Sequence, residues 1–105
     1  MIFTEKTKKT LFENWGDKAD ALDCYCEVKF TDPLGGWDCY IFAINPYDQE
    51  EISCLIADKT GAEVRDWSFL HLLSTYNREG KYPVIDHEFR RVKASHLFRK
   101  LNGEK

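Results

Sequence analysis

Four groups of residues in this 105-residue chain have the types that chemistry requires. The carboxylates Asp32, Glu63, Asp86 and Glu88 come first, because paired acids can move protons or hold a hard cation. Brought together in a cleft, they would make a small metal-dependent enzyme. Asp32 has a plainer role before Pro33, where its side chain can bond the downstream backbone of a turn. Asp86 and Glu88 would share a strand face with Arg90, where cross-strand pairing accounts for them.

Cys24, Cys26, Cys39 and Cys54 form the second group, with His71, His87 and His96 as further candidate ligands. A structural zinc site needs tight Cys pairs on a turn, and Cys24 and Cys26 instead alternate along one face of a strand. Reduced, buried core cysteines are the expectation, with no metal and no disulfide. The third group is the basic run Arg90, Arg91 and Lys93, continued by Arg99 and Lys100. Such side chains can contact phosphates, which keeps a nucleic-acid-binding reading open. A net charge of −3 is far from the basic footprint of a nucleic-acid binder, and this reading is not favoured.

The fourth group is aromatic. Tyr25, Tyr47 and Tyr82 fall in turns or on outward strand faces and are the candidate interaction surface, since interface hot spots use such rings. Trp37 and Trp67 are expected in the core. No nucleophile elbow, phosphate loop or cofactor motif occurs, so no catalytic residue and no cofactor are assigned.

The elements that position these groups follow from periodicity. Thr4 caps a helix over 5–15 that turns Leu11, Phe12 and Trp15 inward. Residues 24–30 alternate as a half-buried strand, and Asp32 to Gly36 turn the chain. Residues 37–45 are apolar on both faces, as in a covered central strand. Strands over 52–57 and 62–67 continue an antiparallel meander. A helix over 69–77, a strand over 84–92 and a closing helix capped by Ser95 complete the chain. The expected fold is one α+β domain over 1–105. Its mainly antiparallel sheet has four to five strands, and about three helices pack mostly on one face.

Charge is uneven: residues 1–66 hold 14 acids against seven bases, and residues 67–105 hold four against eight. No run is apolar enough for a signal or membrane span, so a cytoplasmic protein that does not engage membranes is expected. Oligomeric state is not legible.

The stretch Lys29-Phe30-Thr31-Asp32-Pro33-Leu34-Gly35-Gly36-Trp37 resembles the Lys-Phe-x-Asp-Pro-x-Gly-x-Trp signature of a bacterial family known as domain of unknown function 2958. Glu63 to Phe69 is similar to a second block of that family, and Lys93 to Leu97 to its closing segment, with Ala94 in place of proline. Arg65 stands where the family has glycine. The resemblance implies a setting on phages, plasmids and other mobile elements. It carries no chemistry with it. Together with the missing catalytic constellation, it implies a non-enzymatic protein-interaction module. The partner would be a host or element-encoded protein, with inhibition of a host defence system as one form of the activity.

Overall fold

The computed structural model describes residues 4–16, 23–32, 36–68 and 84–103. Helix α1 runs over Glu5–Gly16. It begins as its sequence dictates: the Thr4 hydroxyl accepts the Thr7 N–H at 3.1 Å. Short strands β1 (Tyr25–Cys26) and β2 (Val28–Asp32) follow, then three eight-residue strands, β3 (Trp37–Ile44), β4 (Glu51–Asp58) and β5 (Gly61–Ser68). Two-residue strands β6 (Val84–Ile85) and β7 (Val92–Lys93) precede helix α2 (Ala94–Leu101).

The main sheet is antiparallel, in the order β5-β4-β3-β2-β6. Consecutive strands from β2 to β5 pair as the expected meander, and β1 pairs separately with β7. β3 is the central strand that its two-sided apolar pattern requires, buried from Cys39 to Ile44. Between Ile41 and Ala43 its register with β4 shifts, so Phe42 is a bulged residue.

One cluster joins Phe30, Cys39, Ile41, Ile44, Ile52 and Cys54 to Leu11 of α1. The other joins Tyr40, Phe42, Ala43 and Leu55 to Cys24 and Cys26, and to Ala94 and Leu97 of α2. The bulge explains why neighbours Phe42 and Ala43 both enter the second cluster while Ile44 returns to the first.

Several expectations need correction. Among the described residues there are two helices, where about three were expected; the expected helix over 69–77 lies outside the described residues. The helices do not pack mostly on one face: α1 reaches both clusters, with Leu11 and Phe12 in the first and Trp15 against the second, and α2 joins the second. The strand expected over 84–92 is interrupted. Asp86 accepts the Glu88 N–H on Oδ1 at 2.9 Å and the Phe89 N–H on its carbonyl at 3.2 Å, which turns the chain away. Asp86, Glu88 and Arg90 therefore do not share a strand face. Ser95 is not the cap of α2: the helix starts from an extended Lys93 without a side-chain cap, because Ala94 N–H is already held by the Cys24 carbonyl at 2.8 Å. The strand expected over 24–30 breaks at Glu27, whose N–H bonds the Ile41 carbonyl at 3.0 Å.

Candidate functional site

The four candidate carboxylates do not converge. Asp32 ends β2 and is buried, and Glu63 lies on edge strand β5. With β3 and β4 between them, β2 and β5 are about 14 Å apart by strand spacing. Glu63 is paired with its neighbour Arg65, and Asp86 with Lys29 at 3.7 Å. Glu88 is exposed in the turn after β6. No group of three or more His, Cys, Asp or Glu side chains among the described residues is arranged to hold a metal ion.

All four cysteines are free and buried, as their strand alternation implies. Burial, the nearby Cys54 thiol and Glu27 push the Cys26 thiol up to about 12. Hydrogen bonding to Cys54 and then burial hold Cys39 well above the ordinary thiol range. The Cys54 Sγ donates to the Arg65 carbonyl at 3.5 Å. Cys26 and Cys39 are therefore protonated packing groups at neutral pH, not poised nucleophiles.

Two of the five residues of the basic run, Arg91 and Lys93, are ion-paired. Arg91 donates from Nη2 to Glu27 Oε2 at 2.7 Å and from Nε to the same carboxylate, with its guanidinium 4.2 Å from the Tyr25 ring centroid. Lys93 is 3.8 Å from Asp23. Arg90, Arg99 and Lys100 are exposed. Of the candidate tyrosines, Tyr25 is held under Arg91 and Tyr47 is 94% exposed on the turn after β3. Tyr82 lies outside the described residues.

A cleft lies elsewhere, along β5. It encloses about 560 Å³. Trp37, Ile56 and Trp67 give it apolar walls; Glu63, Arg65 and Asn102 give it polar ones. The two indoles meet at 5.6 Å between ring centroids, tilted by 43°, and the Arg65 guanidinium lies 6.0 Å from the Trp67 ring.

β5 builds this cleft by alternation. Glu63, Arg65 and Trp67 stand opposite Ile56, Cys54 and Ile52 of β4, on the face that is apolar elsewhere in the sheet. Trp37 and Trp67 were expected in the core; they are half-buried at its margin and line the cleft. In the sequence Arg65 stood out only as a residue in place of a family glycine, not as a site candidate. The signal was the spacing Glu63-x-Arg65-x-Trp67, charged where a central strand would continue the apolar face.

At the hairpin end of the cleft, Asp58 Oδ1 accepts the Thr60 N–H at 2.7 Å and also its hydroxyl. These bonds, the hydroxyl first, hold the Asp58 carboxyl below its usual range. The arrangement can stack a planar or aliphatic group on indole while offering charge of both signs. No family model matches the chain, and no curated protein or solved structure matches it either.

Proposed function

We propose that the chain is a non-enzymatic protein-interaction module that receives a partner protein in the cleft beside β5. The observation that carries this reading is the Trp37–Trp67 pair with Arg65 over Trp67, set in an open cleft on the sheet edge. Trp and Arg dominate interface hot spots because they bury large areas and fix direction through few, well-placed polar atoms. The separation of Asp32 from Glu63 speaks against the alternative of a carboxylate-cluster enzyme. Ion pairing of Arg91 and Lys93 speaks against the C-terminal segment as a phosphate-binding patch. The resemblance carried by Lys29 to Trp37 directs the search to host or mobile-element proteins, host defence proteins among them.

The test is affinity capture from host lysate with the wild-type chain, Arg65→Glu and Trp67→Ala. The expected result is one stoichiometric protein retained at moderately high salt by the wild type and lost with Arg65→Glu. Arg65 is exposed, so that variant should keep its thermal midpoint. Retention of nucleic acid alone, or equal capture by all three chains, overturns the proposal.

A further inference from the structure

Helix α2 runs out into Asn102 and Gly103, a pair with a reaction of its own. The sequence holds four asparagines, and Asn102 alone precedes a glycine. The backbone nitrogen that follows an asparagine can attack the side-chain carbonyl carbon, and a Cβ on the following residue crowds that approach. Gly103 has none, and its φ of +79° lies where glycine is favoured. Both residues are exposed, so water reaches them.

The fold holds this reaction in check. Both polar atoms of the Asn102 carboxamide are engaged by Ala62 of β5, Oδ1 by its N–H and Nδ2 by its carbonyl. The attacking nitrogen is engaged too, because the Gly103 N–H donates to the Lys100 carbonyl at 3.2 Å. Asn102 keeps a near-helical ψ of 11°, with its own N–H on the Phe98 carbonyl at 3.1 Å, and ring closure requires that ψ to rotate. These restraints must break together before carbon and nitrogen can meet. They lie at a helix end, where local opening costs least.

We propose that Asn102 and Gly103 form a self-modifying site at which Asn102 converts to aspartate and isoaspartate, at a rate set by release of its carboxamide from Ala62. The Gly103 nitrogen forms a bond to Asn102 Cγ and the Cγ–Nδ2 bond breaks. Nδ2 leaves as ammonia, taking the proton that the Gly103 nitrogen gives up. Water then opens the cyclic imide at either carbonyl, leaving aspartate or, with the chain routed through the side chain, isoaspartate. Nothing is oxidised or reduced, and water is the only co-reactant. The product has no Nδ2 to donate to the Ala62 carbonyl. It also adds a negative charge to a cleft whose lining already includes Asp58 and Glu63. No partner is required for the step.

The experiment incubates the full chain in warm, mildly alkaline buffer and follows Asn102 by peptide mapping with mass spectrometry, with chromatography separating aspartate from isoaspartate. The folded chain should accumulate both products at Asn102, while Asn14, which precedes Trp15, stays an amide. Gly61→Ala, whose Cβ would run into Asn102 Oδ1, should displace the carboxamide and speed conversion by roughly fivefold, the factor that one net hydrogen bond carries. Gly103→Ala, which crowds the attacking nitrogen, should slow conversion towards the rate at Asn14. The wild-type chain unfolded in urea should convert faster than the folded one, a comparison that holds even where Gly61→Ala does not fold. An amide that persists at Asn102, aspartate without isoaspartate, or equal rates in the folded and unfolded wild type overturns the inference. So does a folded Gly61→Ala chain that converts no faster, or a Gly103→Ala chain that converts no slower.

Discussion

Asn102 closes a reciprocal amide pair with Ala62. Its Oδ1 accepts the Ala62 N–H at 2.8 Å and its Nδ2 donates to the Ala62 carbonyl at 3.2 Å. The carboxamide thus stands where the peptide of another strand would stand, at the outer edge of β5. Exposed edges of this kind invite pairing with other chains, and a side chain that occupies their backbone groups blunts the risk. The price of so close an approach is set at Gly61, whose φ is +133° and where a Cβ would sit 2.5 Å from the Asn102 Oδ1.

Asn102→Ala should cost about 1 kcal/mol, the usual net worth of such hydrogen bonds at an exposed site. Gly61→Ala should cost more, because the backbone conformation disfavours any side chain even after the clash is gone. Urea denaturation of both single variants and the double variant gives the coupling. The double variant should be more stable than the sum of the single losses implies, since removing Asn102 relieves the contact at Gly61.

Alkaline pH should unfold the protein through groups that burial keeps protonated. The Cys26 thiol is raised from 9.0 to about 12 and the Tyr40 phenol from 10.0 to about 12, Tyr40 by burial and by Asp38. Folded values above unfolded ones mean that the folded chain holds these protons more tightly. The resulting stability is whole below about pH 9 and declines toward pH 12. Urea midpoints measured from pH 7 to 11 should fall only above 9, and Cys26→Ala should flatten the fall. A thiol reagent at pH 8 should react no faster than the chain opens.

The Arg91–Glu27–Tyr25 arrangement should be worth more than an ordinary surface pair. Glu27 is largely covered, with its side chain 11% exposed, and Arg91 both forks onto it and stacks on Tyr25. Arg91→Ala should destabilise by about 1 kcal/mol, and Arg91→Lys should recover only part of that. Heparin chromatography adds a second readout: with Arg91 and Lys93 paired, the wild-type chain should elute at low salt.

Asn14 of α1 donates from Nδ2 to the carbonyl of bulged Phe42 at 2.8 Å. A bulge leaves backbone groups without ladder partners, and a buried carbonyl left so is costly. Asn14→Leu should therefore cost about 1–3 kcal/mol. Asn14→Asp, which removes the donor, should do no better. Thermal midpoints of the two variants decide it.

Strand-forming stretches were legible wherever a single face or both faces had to be apolar. The run Cys39 to Ile44 announced a central strand, and Thr4 announced a helix start. What failed to show was set by partners distant in sequence. The break at Glu27 depends on the Ile41 carbonyl, and the start of α2 on the Cys24 carbonyl. The turn at Asp86 overrode an apolar and aromatic pattern with a side-chain bond two residues long. The cleft was half legible: Trp37 and Trp67 stood out as aromatics, but only the position of β5 at the sheet edge leaves their faces beside Arg65 rather than under another strand.

Helix α1 carries Leu11 into one hydrophobic cluster while Trp15, one turn on, packs against the other. Among the described residues, α1 therefore joins the two half-cores in addition to the sheet between them. Hydrogen exchange should find β3 and β4 opening together with the middle of α1, with one common free energy, and Leu11→Ala should lower protection of Phe42 and Leu55 on the far face as much as of Ile41. Damage to either side of this sheet is felt as cooperativity lost by the whole.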